Sequence, residues 1–286
     1  MWTVESCAKK SVYDEPEHQL WEVINNHNPN YKLKRGYILR IGRVQLKIKD
    51  YRIESAIMLS DQISSPMEDN IIDIQTKESK SNSPEDVCRI CFGIETSSDN
   101  PLLSLCNCTG STKFIHYMCL KTWLSSKALE RIGSDVISYY WKEFQCEICT
   151  CFYPCKLLIT VIVSVMHSGK RFDMVDIPRP LNNDFLLLES INKTKGAIRT
   201  IHMLIPSNTG KVYKLGRGHE ADIKITDISV SRLHAHIKCT PKGFVIEDNS
   251  SKFGILVHLE NKITYNFCDN PLLQFGKTRI AIAIQE

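Results

Sequence analysis

Seven cysteines and one histidine lie in four close pairs between residues 88 and 149. The pairs are Cys88-x2-Cys91, Cys106-x-Cys108, His116-x2-Cys119 and Cys146-x2-Cys149. Thiolate and imidazole are the ligands that zinc prefers, and a structural zinc site takes four of them in a tetrahedron. The array therefore predicts two zinc ions that build the local fold and leave no open position for chemistry. No catalytic residue is predicted.

Scattered buried thiols and a disulfide framework are the alternative interpretations. Scattered buried thiols are disfavoured, because four close pairs are improbable by chance. The second is disfavoured because the N-terminal sequence MWTVESCAKKS lacks a secretory signal, and intracellular thiols stay reduced. Cys151 and Cys155 could substitute as ligands, but the two-residue spacing favours Cys146 and Cys149. The ordinary thiols are then Cys7, Cys151, Cys155, Cys239 and Cys268.

The chain of 286 residues, 43% of them apolar, divides into segments of different character. Residues 1–54 hold alternating apolar and polar stretches at 20–24 and 37–53, with turn material at 25–30, which predicts a small unit of strands. Residues 55–86 carry seven acidic residues against two lysines and no aromatic, which predicts a flexible linker. The zinc segment spans 87–156, and a connector spans 157–184. The run LLITVIVSV in the connector indicates a buried strand or short helix packed on the zinc segment.

Residues 185–286 contain many short strand-like runs separated by Gly, Pro, Asn and Asp. This spacing predicts an antiparallel β-sandwich. The fold class is therefore mainly β with a small α+β zinc finger. One internal similarity links the two ends, since residues 38–48 (ILRIGRVQLKI) align with 272–282 (LLQFGKTRIAI). Either two hairpins coincide by chance, or the N-terminal segment is the last hairpin of a sandwich like the C-terminal one, or it is a piece that completes one.

Charge and hydropathy exclude several partners. The most apolar run, 157–166, is about half the roughly twenty residues that a spanning helix needs. The net charge of +4 is spread over three segments without a basic stripe. We therefore expect a soluble intracellular protein, cytoplasmic or nuclear, that binds neither membrane nor nucleic acid.

The zinc segment resembles a RING-CH (RING variant) finger of ubiquitin ligases. The resemblance rests on CRIC, then PLLSLCNCTGSTKFIHYMCLKTWL, then FQCEIC. A plant homeodomain finger shares the ligand order but normally lacks the CxC pair and the HxxCLxxWL run. The resemblance implies a cross-brace, in which one zinc is held by Cys88, Cys91, His116 and Cys119, and the other by Cys106, Cys108, Cys146 and Cys149.

The same resemblance implies a docking groove for a ubiquitin-conjugating enzyme at Ile90 and Trp123. Ile90 lies between two ligands, where exposure is expected. Trp123 lies on an expected short helix over CLKTWLSSKALERI, so it could instead be partly core. Many RING ligases place a basic residue directly after the last ligand pair, whereas this chain has Thr150.

Three loops of the β-rich segment resemble a forkhead-associated (FHA) domain, a module that binds phosphothreonine peptides. They are LGRGH at 215–219, SRLHA at 231–235 and DNSSKFG at 248–254. The resemblance makes Arg217 and Ser231 phosphate contacts, with Arg232 and Ser251 assisting. It makes Gly216, His234 and Gly254 structural. The family's peptide-holding Asn is Phe253 in this chain.

Together the two resemblances imply a ubiquitin ligase that recruits a conjugating enzyme through its zinc finger and a phosphothreonine-containing partner through its sandwich. Such a ligase acts by positioning and has no nucleophile of its own. The alternative is a non-enzymatic scaffold of the same two domains, which Thr150 and Phe253 modestly favour.

Overall fold

The computed structural model describes residues 2–4, 19–24, 30–53, 86–142, 145–153, 156–157, 162–167, 170–176, 180, 183–191, 198–259, 263–265 and 271–282. The expected linker, apart from its last residue, and most of the turn at 25–30 lie outside these residues. So do Cys7, Cys155 and Cys268.

The described residues form one α-helix and many short strands. The helix α1 is Tyr117–Lys127, and a 3-10 turn spans Gly110–Thr112. The strands are β1 Trp2–Val4, β2 Leu20–Ile24, β3 Tyr31–Lys32, β4 Ile38–Ile41, β5 Val44–Arg52, β6 Leu102–Leu103, β7 Ile115–His116, β8 Leu129–Ile132, β9 Val136–Lys142, β10 Lys156–Leu157, β11 Ile162–His167, β12 Lys170–Asp176, β13 Phe185–Ile191, β14 Ile198–Leu204, β15 Val212–Gly216, β16 Ile223–Lys224, β17 Ala235–Thr240, β18 Gly243–Asp248, β19 Ile255–His258, β20 Ile263–Tyr265, β21 Leu272–Phe275 and β22 Thr278–Ala281.

Two sheets enclose the main core. One has ten strands in the order β22-β21-β2-β19-β4-β5-β13-β14-β9-β8, and the other has five in the order β16-β15-β17-β18-β3. Their pairs are antiparallel except β15 with β16. Buried Ile, Leu, Val and aromatic side chains from both sheets form one cluster between them. The predicted fold class, mainly β with a small zinc finger before a sandwich, is confirmed.

The sandwich is assembled from distant parts of the chain. The N-terminal segment supplies β2, β4 and β5 to the ten-stranded sheet and β3 to the other. β5 pairs with β13 along seven residues of β13, with one register shift. Buried Lys49 of β5 forms an ion pair with Glu189 of β13, with Nζ and Oε2 3.2 Å apart. The N-terminal hairpin is therefore a piece that completes the sandwich, which is one of the interpretations that the internal similarity left open.

β13 lies between two cores, which explains why its sequence, FLLLESI, is a nearly continuous apolar run. Leu186 and Leu188 face the sandwich core, whereas Phe185 and Leu187 join a second core that contains the finger's side chains. A strand covered on both faces is apolar at most positions, instead of alternating apolar with polar residues. The second core unites the zinc finger with the outer face of the ten-stranded sheet.

β9 is the link between finger and sandwich. It follows α1 and β8 in the chain and pairs with β14 over seven residues. Tyr139 and Trp141 point into the finger's core, while Val136 lies in the sandwich core. The expected helix ends at Lys127, because Ala128 adopts extended backbone angles and β8 follows. The connector forms the antiparallel strands β10, β11 and β12. Among the residues that the structure describes, no helix has the length and apolar character needed to cross a bilayer.

A buried histidine on β14 makes the stability of this junction pH-dependent. His202 Nδ1 lies 2.8 Å from Ser138 Oγ of β9, and burial lowers the pKa of His202 to about 4. A histidine in an unfolded chain has a pKa near 6.5. Between pH 6.5 and 4 the unfolded chain therefore binds a proton at His202 that the folded chain does not bind. Stability contributed by neutral His202 is therefore complete above pH 6.5 and is lost as the pH falls towards 4.

We expect the wild type to lose on the order of 2 kcal/mol of unfolding free energy between pH 7 and pH 5 through this group. Urea unfolding at both pH values, with zinc in excess, measures the loss. His202→Asn should lose less than the wild type over that interval. His236→Asn, on β17, is the matched control and should keep the wild-type pH dependence. Equal pH dependence in His202→Asn and wild type would contradict the assignment.

Candidate functional site

Two groups of four ligand atoms form in the finger, each with all its atoms within 4.8 Å of one another. The groups are Cys88, Cys91, His116 and Cys119, and Cys106, Cys108, Cys146 and Cys149. These are Cys₃His and Cys₄ sets, the donor chemistry of structural zinc. The two clusters fit two zinc sites, and the predicted cofactor is confirmed at this level. The pairs alternate along the chain, so that each metal would tie together distant segments.

His116 presents one particular ring nitrogen to the first cluster. Its Nε2 lies 2.6 Å from the carbonyl oxygen of Glu95, to which it must donate, because a carbonyl can only accept. Nδ1 is then left with its lone pair, and it lies 3.2 Å from Cys91 Sγ. A metal-binding histidine usually has such a second partner, which fixes its tautomer and orientation.

Thiols of the two clusters differ in their readiness to ionise. Burial alone would raise the pKa of Cys88, but the backbone N–H groups of Cys91, His116 and Ile90 outweigh it and lower the pKa to about 6. Burial and neighbouring thiols raise the pKa of Cys119 to about 12. Three or four crowded sulfurs cannot all carry charge unaided, which is the condition that a bound dication relieves.

Arg89 supports the second cluster and was missed by sequence reasoning. Its Nη1 lies 3.5 Å from Cys106 Sγ and 3.6 Å from Cys108 Sγ. Its Nη2 donates to the hydroxyl of Tyr153 at 2.7 Å. A guanidinium beside four thiolates offsets part of their negative charge. No ligand spacing pointed to Arg89, because its contacts are made across the fold.

The residues expected to dock a conjugating enzyme lie on the finger's surface. Ile90 is 44% exposed, and Ile148, at the same position of the last knuckle, is 59% exposed. Trp123 is half-buried and packs edge-on against Tyr153, with ring centroids 6.5 Å apart. Because Tyr153 also contacts Arg89, it connects the knuckle of Ile90 to the helix of Trp123. Trp123 therefore has both a core side and an open side.

Three loops meet at one end of the sandwich. The N–H of Arg217 donates to the carbonyl of Ser231 at 3.0 Å, and the N–H of Gly218 donates to that of Arg232 at 2.9 Å. The N–H of Lys252 donates to Ser231 Oγ at 3.2 Å. The side chains of Arg217 and Arg232 are exposed. Two guanidinium groups and a hydroxyl at one loop junction suit a phosphate.

Gly216 and His234 hold these loops together. A Cβ on Gly216 would lie 2.1 Å from the carbonyl oxygen of Arg232, so only glycine allows this approach. His234 is fully buried, and its Nδ1 accepts the N–H of Ser231 at 3.1 Å. Its Nε2 therefore carries the proton and donates to the carbonyl of Gly254 at 3.2 Å. Burial lowers the pKa of His234, which keeps this neutral tautomer.

Ser251 is occupied by its own loop. Its hydroxyl donates to Asp248 Oδ1 at 2.6 Å and accepts the N–H of Gly254 at 2.9 Å. A hydroxyl has a single proton, so Ser251 would have to release Asp248 before donating to a phosphate. Phe253 is 46% exposed, and its carbonyl accepts a hydrogen bond from Arg279 Nη2 at 3.1 Å. Arg279 lies in none of the three loop motifs, and nothing in the sequence placed it beside them.

Comparison with known proteins identifies both regions. Residues 88–149 match the RING-variant domain and residues 213–270 match the FHA domain. The chain is 42% identical over 69 residues to the ERAD-associated E3 ubiquitin-protein ligase DOA10 of Saccharomyces cerevisiae, covering 23% of this chain and 4% of that protein. It is 26% identical over 170 residues to the E3 ubiquitin-protein ligase MARCHF7 of Pongo abelii, covering 59% of this chain and 21% of that protein.

A third relative is the probable E3 ubiquitin-protein ligase MARCHF10 of Homo sapiens, 44% identical over 59 residues, which are 21% of this chain and 7% of that protein. The chain thus spans about a fifth or less of these relatives' lengths. No solved structure gives a significant match. The resemblances drawn from the motifs are confirmed: the chain contains a RING-variant domain and an FHA domain.

Proposed function

We propose that this chain, which joins a RING-variant domain to an FHA domain through a shared sheet, is a ubiquitin ligase that selects its partner by phosphothreonine. The finger would recruit the conjugating enzyme, and the sandwich would hold the phosphorylated protein. The ligase names of the relatives support the first part, and the convergence of Arg217, Ser231 and Arg232 supports the second.

The observation that carries the ligase proposal is the exposed apolar surface of the finger. Ile90 and Ile148 each lie directly before the second cysteine of a CxxC pair. Both side chains are exposed, although the finger has its own buried core. Exposed apolar side chains beside a rigid metal-bound frame are typical of contact sites. Catalysis would consist of positioning the charged conjugating enzyme, since zinc in this role has no open position.

Autoubiquitination with a panel of conjugating enzymes tests the proposal. We expect the wild type to form chains with at least one enzyme, and Ile90→Ala combined with Trp123→Ala to lower the rate at least tenfold. Ile228→Ala is the matched control, because Ile228 is 85% exposed on the sandwich. Both variants should retain two zinc ions. Absence of chains with every enzyme would favour the alternative, a non-enzymatic scaffold, which the exposed Thr150 at the family's basic position supports.

Phosphopeptide binding tests the second part separately. Arg217→Ala should weaken binding of phosphothreonine peptides at least tenfold, because a charge-assisted contact to phosphate is lost. Fluorescence anisotropy with the full chain measures it, and Arg199→Ala on β14 is the control. Equal affinity for phosphorylated and unphosphorylated peptides would refute phosphate recognition.

A further inference from the structure

The C-terminal hairpin repeats the N-terminal one in structure as well as in sequence. β4 and β5 pair from Ile38↔Lys47 to Ile41↔Val44, and β21 and β22 pair from Leu272↔Ala281 to Phe275↔Thr278. Both turns contain a glycine with positive φ, Gly42 at 63° and Gly276 at 57°. In both, the side chain two residues before the glycine donates to its carbonyl: Arg40 Nε at 3.2 Å and Gln274 Nε2 at 3.0 Å. The chain thus contains two equivalent hairpins in one sheet.

Of these two hairpins, the N-terminal one lies beside β13, and a buried ion pair accounts for this arrangement. Lys49 neutralises the buried Glu189 there. If the alignment is extended by one residue, Ala283 falls at the position of Lys49, and it would leave Glu189 without its cation. At the turn, the N–H of Arg43 donates to Ser229 Oγ at 2.8 Å, and its guanidinium lies 3.3 Å from Asp227. The C-terminal hairpin lies instead at the edge of the same sheet, where β21 pairs with β2.

That position brings an additional cation to the loop that carries the proposed phosphate contacts. Arg279 Nη2 lies 3.1 Å from the carbonyl of Phe253, and Arg279 Nε lies 3.1 Å from Gln274 Oε1. The residue before Phe253, Lys252, is bonded through its N–H to Ser231. Arg279 is exposed, and these two bonds use two of the five N–H groups of its guanidinium. The remaining donors are available to a ligand that lies along this loop.

We infer that the β21–β22 hairpin is an added wall of the phosphopeptide surface, in which Arg279 binds a negatively charged residue flanking the phosphothreonine. The inference rests on the proposed phosphopeptide function. The side chain of Phe253 has no amide to hold a peptide, and Arg279 provides charged donors at the same loop. A guanidinium binds a carboxylate or a second phosphate through paired hydrogen bonds. The partner class is therefore a phosphothreonine segment with an acidic or doubly phosphorylated flank.

The test measures binding of the full chain to three sets of phosphothreonine peptides by fluorescence anisotropy. One peptide has a neutral flank, one set carries a single Glu at each of four positions on either side, and one set carries phosphoserine at those positions. We expect the best acidic peptide to bind the wild type about tenfold more tightly than the neutral peptide. The Glu and phosphoserine sets show which anion is preferred.

Arg279→Glu and Arg279→Gln should remove the preference and leave the affinity for the neutral peptide within about twofold. Arg131→Glu is the matched control, because Arg131 is an exposed arginine on β8, the opposite edge strand, and the change in net charge is identical. It should retain the preference. Thermal unfolding of the three variants reports their folding, and Arg279→Gln retains the test if the charge reversal destabilises the hairpin.

A wild type that binds neutral and acidic phosphopeptides equally overturns this inference alone. Retention of the preference in both Arg279 variants overturns it as well. Loss of the preference in Arg131→Glu would show a general charge effect and would likewise overturn it. A wild type that binds no phosphothreonine peptide refutes the proposed phosphopeptide function and this inference together.

Discussion

Removal of residues 1–53 is expected to unfold the sandwich, although the FHA match begins at residue 213. The segment contains five strands and contributes four of them to the two large sheets, where β5 pairs with β13. It also contributes seven side chains to the main core, none more than 3% exposed: Ile24, Leu33, Leu39, Ile41, Leu46, Ile48 and Ile53. Burial of such a side chain contributes about 1.5–3 kcal/mol. Together the seven contribute as much as, or more than, the whole net stability of a typical domain, about 5–15 kcal/mol.

The experiment compares residues 54–286 with the full chain by circular dichroism and urea unfolding. We expect the shortened chain to lose the cooperative transition and to regain it when a separate peptide of residues 19–53 is added. A chain lacking only residues 1–18 is the control, because that piece supplies β1 alone to the described sheets. An unchanged midpoint for 54–286 would mean that the C-terminal hairpin replaces the N-terminal one, despite Ala283 at the position of Lys49.

The same pairing shows where sequence reasoning stops. The alternation in residues 37–53 predicts strands, because side chains on one face must be buried. It does not identify the partner, since β13 follows more than a hundred residues later and pairing depends on long-range packing. Similarly, VISYYWK at 136–142 lies inside the finger segment, but it forms strand β9 of the ten-stranded sheet, from which Tyr139 and Trp141 point into the finger's core. Local patterns specify an element and leave its neighbours open.

The candidate sites divide in the same way. Zinc ligands are predictable because few residue types bind the metal and their spacing is restricted. The three sandwich loops are predictable because the glycine and histidine that hold them together occur in a fixed order along the sequence. Arg89, Tyr153 and Arg279 are not, since an arginine or tyrosine in a strand or loop has many uses. Their roles follow only from distances across the fold.

Loss of one zinc ligand is expected to destabilise the sandwich as well as the finger. Cys146 is buried in the second core together with Leu120 and Leu124 of α1 and with Leu187 and Met203 of the sheet. Cys146→Ser should therefore retain one zinc ion instead of two. Structural zinc contributes about 10–16 kcal/mol to folding in small domains, which is more than most domains have in reserve. Because the core is shared, the effect should spread to β13 and β14.

Native mass spectrometry gives the zinc stoichiometry, and thermal unfolding followed by circular dichroism and tryptophan fluorescence gives the stability. We expect Cys146→Ser to shift both signals to lower temperature together, since Trp141 lies in the shared core and reports on finger and sheet at once. Cys151→Ser is the matched control, because Cys151 is a neighbouring thiol outside both ligand groups. Equal zinc loss in Cys151→Ser would refute the ligand assignment. A sandwich transition unchanged in Cys146→Ser would show that finger and sheet unfold independently, against the continuity of the core that joins them.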